Sequence, residues 1–355
     1  MKKGIIASGI WCVDISYKIK NWPSEGKTSI VERKIDGVGG GPSNVLTNLE
    51  YLGFKYPKIA LGCIGKDKEA DVIKKHNKKN NIISKYLTVL KKIKTSYTLI
   101  MSKGGGERTF FHYPGANEKL SYRNIKLSNI KNYKPKIFYV GYLTFLGELD
   151  ELDNNNKTKL CSVLKKTKKM GMLNCLDLAS YDHKNYKKII KSAAKYCDYL
   201  FLNEIEAELA TGFKIISKNK FNRKNAESAA NYLLDCGVNK AVVLHSPQFT
   251  LWKDKNELSH WHKSKLLKNT QIISKVGAGD AFCAACLYGI HEDWDIEKIL
   301  KKAHSAASSI LKTEFSSAIS LILNIYSYSF RTFSVIIKSL SKDLSGLIIF
   351  FLSWS

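Results

Sequence analysis

Val276-Gly277-Ala278-Gly279-Asp280-Ala281-Phe282 opens a long apolar run, Ala278–His291, that reads as a helix. Glycines at a helix start leave backbone N–H groups pointing at whatever lies in front, and the helix dipole adds positive potential there. That makes an anion site. Asp280 falls in the first helical turn, beside the place an anion would sit. A carboxylate so placed can take the proton of an attacking hydroxyl while the amides hold a transferring phosphoryl group. The same residues also suit a plain helix start with a capping acid, so the motif is weighed with the rest of the chain.

Working outward, strand-like and helical stretches alternate from the N-terminal side. Strands are expected over Ile5–Ile10, Lys58–Gly62, Ile137–Val140, Leu173–Leu178, Tyr199–Asn203 and Lys240–Leu244. Helices are expected over Ser43–Leu52, Glu69–Asn77, Lys157–Met170, Lys184–Ala194 and Ala226–Cys236. This order implies an α/β fold with a mostly parallel sheet covered on both faces. Two stretches break the rhythm. Trp11–Lys18 with Ser29–Asp36, and Ser96–Met101 with Arg108–Tyr113, read as short antiparallel pairs. Turn signals separate them, Pro23-Ser-Glu-Gly26 and Gly104-Gly105-Gly106. A small sheet inserted into the α/β core is a candidate lid.

Two further stretches carry chemistry. Gly37-Val38-Gly39-Gly40-Gly41-Pro42-Ser43-Asn44 lets backbone approach a ligand closely, and Asn44, one turn into the next helix, can bond hydroxyls. Its spacing is not GxGxxG, so a dinucleotide site is a poor fit. Asn203-Glu204-Ile205-Glu206 follows a strand directly. An amide and a carboxylate three apart at a sheet's C-terminal edge can hold Mg²⁺ through water. Equally, Asn203 can cap a helix and Glu206 complete a capping box, and taken alone that is the better reading. Gly26-Lys27-Thr28 imitates the end of a phosphate-binding P-loop, but Asn21 stands where that loop needs glycine and no helix follows.

Among the 355 residues, 57 Lys+Arg against 31 Asp+Glu give a net charge of +26. So basic a chain raises nucleic acid or an anionic membrane as a partner. Yet no basic block alternates with aromatics, and no zinc-finger or basic-zipper spacing occurs. The Lys/Asn runs, such as Lys74–Asn81, suit solvated faces, so no nucleic-acid partner is expected. Eight scattered cysteines show no disulfide framework, so reduced thiols and a cytoplasmic protein are expected. Cys283-Ala-Ala-Cys286 lies in an apolar helix and reads as buried packing, and His260-Trp-His262 is too thin for a metal site. No metal ligand set is assigned. Nothing at Met1-Lys2-Lys3 resembles a signal peptide. The last 41 residues, 315–355, change character: 11 Ser, one acid and three bases among apolar residues. They read as an anomalous tail, either membrane-associated or foreign to the fold, for instance translated out of frame.

Gly39–Asn44, Arg108-Thr-Phe-Phe-His-Tyr-Pro-Gly-Ala-Asn117, Asn203–Glu206 and Gly277–Asp280 occur in the order seen in the ribokinase-like (PfkB) carbohydrate kinases. The resemblance covers roughly residues 4–314. It implies a three-layer αβα sandwich with a β-sheet lid, residues 1–314 as the kinase domain and about 11–36 and 95–116 as lid segments. It also implies ATP-dependent phosphorylation of a sugar hydroxyl with Mg²⁺. On the matching positions, Asp280 resembles the general base, and Gly277, Ala278 and Gly279 the anion hole. Asp14, Gly39, Gly40 and Asn44 fall where the family holds sugar hydroxyls. Asn203 and Glu206 resemble the pair that organises Mg²⁺ and phosphates, and His304 a position that packs on adenine. Ser274-Lys275 stands where the family reads Asp-Thr, so monovalent-cation activation is not carried over. Lys312-Thr313-Glu314 runs into the tail where the family continues into a loop closing the nucleotide pocket. The alternatives are a nucleoside kinase of the same fold, with Phe110, Phe111 or Tyr113 stacking a base, or a catalytically inactive sugar-binding protein. A homodimer through the lid's free strand edges is also expected. Acceptor choice is expected to rest on the lid and on loops such as Gly141–Leu149.

Overall fold

A computed structural model describes residues 3–313, apart from 104–107, 218–219 and 257. The Gly104–Gly106 turn and the 315–355 tail lie outside the described residues.

A nine-stranded sheet organises the chain. Across it run Ser259–Lys263, Phe249–Asp254, Ala241–His245, Tyr199–Asn203, Leu173–Leu178, Ile137–Leu143, Ile5–Gly9, Lys58–Leu61 and Ile82–Ile83. The strands from Ala241–His245 to Ile82–Ile83 pair in parallel. The remaining two at the other edge pair antiparallel.

Because strand side chains alternate faces, residue parity sorts the core into two layers. Ile6, Phe138, Val140, Leu176, Leu200 and Val242 pack with helices Leu160–Lys169, Tyr186–Ala194, Glu204–Thr211 and Arg223–Asp235. Ile5, Ala7, Tyr139, Cys175, Phe201 and Val243 pack with Gly41–Tyr51, Lys68–Lys79, Ala278–His291 and Ile296–Leu311. The result is helix, sheet, helix: the three-layer sandwich expected. Cys283 and Cys286 are buried in the second layer as free thiols, as small core side chains.

The second sheet has four strands, in the order Val31–Gly39, Cys12–Ile19, Ser96–Ser102, Arg108–Tyr113. Sequence reading gives two separate antiparallel pairs. The structure joins them through parallel pairing of Cys12–Ile19 with Ser96–Ser102, which no local turn signal announces. Asn117 fastens this sheet to the core: its side-chain amide donates to the Trp11 carbonyl and accepts from the Trp11 N–H, at 2.9 and 3.2 Å. Among the described residues no helix is long and apolar enough to cross a membrane.

Candidate active site

The glycine run acquires its reason at the junction of lid and core. Gly40 adopts φ 91°, and a Cβ there would meet the Ile10 carbonyl oxygen. Gly39 ends a lid strand directly under Asp14, whose carboxylate fills the space a side chain would take. The chain then turns into helix Gly41–Tyr51, with Pro42 in its first turn. Asn44 is buried one turn in, and its backbone N–H reaches the Gly40 carbonyl.

Asn44 and Asp280 meet across 236 residues of sequence. Gly277 takes a left-handed φ of 79° and starts helix Ala278–His291 with no side-chain cap. Its first N–H groups therefore have no partner within the helix. Asp280 follows in the first turn, buried. Its Oδ2 accepts from Asn44 Nδ2 at 2.8 Å and from the Tyr142 hydroxyl at 3.0 Å. Both bonds fall on one oxygen, which leaves Oδ1 to take a proton. Burial pushes the Asp280 carboxyl up to about 7; its two hydrogen bonds oppose the rise, and the charges of Asp14 and Glu206 add to it. Such a pKa suits a general base working near neutrality.

Asp14 lies on lid strand Cys12–Ile19, its Oδ1 receiving the Cys12 thiol at 3.5 Å. Burial raises its carboxyl to about 6. A cavity of about 900 Å³ opens between lid and core. Of the residues singled out in the sequence, Asp14, Gly40, Asn44, Phe110 and Glu206 line it, together with Val276 just before the glycine turn, whereas Phe111 and Tyr113 do not. Asp280 is reached through Asn44 and Tyr142, which both line the wall. Asn44 Oδ1 is buried with no hydrogen-bond partner, an acceptor left over for a ligand hydroxyl.

Asn203 and Glu206 form the capping box of helix Glu204–Thr211. Asn203 Oδ1 accepts from the Glu206 N–H and Glu206 Oε2 from the Asn203 N–H, both at 2.9 Å. Glu206 Oε1 accepts from the Ser180 hydroxyl at 2.8 Å. All these donors are neutral, and burial raises the Glu206 carboxyl. Asp177, buried at the end of the neighbouring strand, is raised by burial and then by the charges of Glu206 and Asp280. Three carboxylates that repel one another this way gain from a nearby cation.

His304 sits apart from the cavity wall. Its Nε2 pairs with Thr250 Oγ1 at 2.9 Å, its Nδ1 with Ser264 Oγ at 3.2 Å, and its ring stacks on His262 at 4.7 Å. Burial lowers it to about 4, so it is neutral at pH 7. Sequence reading missed Tyr142, Asp177 and Ser180. Each lies at or just beyond the C-terminal end of a central strand, where ligands of open α/β sheets bind; that position is the one signal that points to them.

Residues 4–320 match the profile of the pfkB family carbohydrate kinases. The chain is 23% identical over 295 residues to the ribokinase of Staphylococcus aureus, covering 83% of this chain and 88% of that protein. It is 20% identical over 298 residues to the adenosine kinase of Schizosaccharomyces pombe, covering 77% and 79%. The structure of Arabidopsis thaliana ribokinase complexed with ribose and ATP superposes with a TM-score of 0.70 at 21% identity, covering 89% of this chain and 95% of that one. With the lidded sandwich, the glycine-started helix and its buried aspartate all in place, the chain belongs to the pfkB family carbohydrate kinases, phosphotransferases with an alcohol group as acceptor.

Proposed function

We propose that this protein transfers the γ-phosphoryl group of ATP to a hydroxyl of a small carbohydrate, with Asp280 as general base. The carrying observation is the Asp280 carboxylate itself: buried in the first turn after Gly277-Ala278-Gly279, hydrogen-bonded on Oδ2 only, and raised to about 7. Asp14 and the free Oδ1 of Asn44 accept bonds from two acceptor hydroxyls; Gly39 makes the room that the Asp14 carboxylate occupies, and Gly40 the room for the Ile10 carbonyl beside it. As the acceptor oxygen bonds to the γ-phosphorus, its proton passes to Asp280 Oδ1, and the bond between that phosphorus and the β–γ bridging oxygen breaks to release ADP. The N–H groups at Gly277, Ala278 and Gly279 face the charge that builds on the transferring group.

Mg²⁺ supplies charge neutralisation for the phosphates when bound. The residues present fit a water-mediated site rather than a protein cage. Among the described residues no cluster of three or more His, Cys, Asp or Glu forms a metal site, and Glu206 spends both oxygens on neutral donors. Mg²⁺ commonly keeps several waters and takes its remaining ligands from substrate phosphates. Asn203 and Glu206 would orient those waters.

The test is ADP release by the full chain with a panel of sugars and Mg²⁺. Asp280→Asn is expected to cut kcat by ~10²–10⁴-fold. Sugar-dependent turnover that survives this change removes Asp280 from the role.

A further inference from the structure

The cavity extends past the Asp14, Asn44 and Asp280 end into a region that phosphoryl transfer does not use. At about 900 Å³ it lies near the top of the ~300–1,000 Å³ range of drug-sized sites, more than one monosaccharide ring needs. Its far wall is aromatic. The His112 ring packs on Phe145 at 4.9 Å, and Phe145 on Tyr181 at 4.7 Å. All three line the cavity, as does Asp150.

Two buried polar atoms in this wall have no hydrogen-bond partner: His112 Nε2 and Asp150 Oδ1. Unpaired buried polar atoms are uncommon and costly, so two in one cavity call for a ligand. The hydrogen-bond chain fixes what His112 offers. Its Nδ1 pairs with Thr98 Oγ1 at 3.0 Å. Thr98 turns its own proton toward the Asp14 carboxylate and Cys12 sulfur, so it receives the Nδ1–H of His112. Burial keeps the ring neutral at pH 7, so Nε2 is a bare acceptor. Asp150 is 6% exposed, its Oδ2 already accepts the Leu146 N–H at 2.7 Å, and burial raises its carboxyl to about 7, so Oδ1 is an acceptor in the ionised form. Oδ1 is the oxygen left over. Tyr142, Thr144 and Gly147, in the segment that leads to it, all take positive φ (64°, 84° and 60°) and all line the cavity.

We propose that this half of the cavity selects an acceptor whose sugar carries a flat ring bearing N–H or O–H donors, with Phe145 and Tyr181 holding the ring and His112 Nε2 and Asp150 Oδ1 accepting its donors. The proposal rests on the kinase reading above and sharpens its acceptor from a free monosaccharide to a ring-substituted one, a nucleoside or an aryl glycoside.

Adenosine and ribose serve as probes, because they share a sugar and differ in the ring. The full chain is expected to prefer adenosine by at least about tenfold in kcat/KM. His112→Phe keeps an aromatic surface but removes the acceptor, and Asp150→Asn places a donor where the free oxygen was. Each is expected to cut the adenosine-to-ribose ratio about tenfold, the scale of one buried hydrogen bond. A ratio unmoved by either change, or a parent that phosphorylates ribose as readily as adenosine, overturns the subsite and leaves the kinase intact. Calorimetry of adenosine binding to Asp280→Asn gives a readout independent of turnover. Binding there that His112→Phe abolishes, with no ADP release by the parent on any acceptor, supports the subsite and removes the kinase reading. No adenosine binding to Asp280→Asn overturns the subsite.

Discussion

At the scale of single residues, Asp280 as the proposed general base ties activity and stability to pH in opposite directions. Its carboxyl must be ionised to accept a proton, and its pKa stands near 7. The expected kcat/KM profile rises with unit slope below about pH 7 and levels above it. Tyr142 donates to the ionised form, a bond that lowers the pKa. Tyr142→Phe should therefore move the acid limb to higher pH and leave the plateau less affected than the limb; a limb that stays put detaches Tyr142 from the base. The stability sign runs the other way. A carboxyl raised from its ordinary ~3.9 binds its proton more tightly when folded, so its contribution is full below about pH 4 and is lost as pH rises through 7. Asp280→Asn removes that loss. The variant should melt higher than the parent at pH 8, by roughly 2–4 °C for each kcal/mol regained, and show little gain at pH 4. A melting difference equal at both pH values would rule out ionisation as the cause. Next to it, Gly39 carries a steric prediction. A methyl group at Gly39 meets the Asp14 carboxylate, so Gly39→Ala should raise the acceptor's KM about tenfold or more by displacing that side chain, with the ATP KM unchanged.

At the scale of elements, the sequence disclosed what local chemistry writes down. Gly277–Asp280 and Gly39–Asn44 were visible because glycine is demanded by backbone geometry, and the helix Ala278–His291 and strands Leu173–Leu178 and Tyr199–Asn203 fall on their expected bounds. The edge pair Phe249–Asp254 and Ser259–Lys263 went unread. Thr250 and Lys253 are buried there alongside Leu251 and Trp252, so the alternation that marks a one-sided strand is missing. Tyr142 at the end of strand Ile137–Leu143, Ser180 just after strand Leu173–Leu178 and Asp150 at the end of a short 3-10 turn belong to no motif, and only the fold brings them to one cavity. Asn203 and Glu206 were legible in two ways at once, and the capping box is observed. Substitution can separate cap from catalysis. Glu206→Gln keeps an oxygen for the Asn203 N–H, so the melting temperature should hold within about 2 °C, whereas Glu206→Ala should cost ~1 kcal/mol. If Glu206 also orients the waters around Mg²⁺, the Gln variant needs several-fold more Mg²⁺ for half-maximal rate. An unchanged Mg²⁺ requirement would leave it a helix cap alone.

At the scale of the whole molecule, the charge is divided by place. Three bases and one acid put +2 in residues 315–355, which leaves +24 in residues 1–314. The cavity runs against that total: Asp14, Asp150 and Glu206 line it, and Asp177 and Asp280 lie close behind. An acidic interior inside a basic surface suits two substrates of different kinds. A neutral acceptor needs carboxylates for its hydroxyls and gains nothing from the outer field. On the proposed reading, polyanionic ATP gains from that field on approach and then meets the N–H groups of the Gly277 helix start rather than the carboxylates. The outer field is screened by salt, because the Debye length falls from about 14 Å at ~0.05 M to about 6 Å at ~0.3 M. The KM for ATP should accordingly rise roughly threefold across that range, while the KM for an uncharged acceptor stays level. Sodium chloride titrations at saturating concentration of the other substrate measure both. Equal rises in the two would assign the effect to a general loosening of lid and core; a flat ATP curve would make the +26 of the chain a matter of surface composition with no bearing on its substrates.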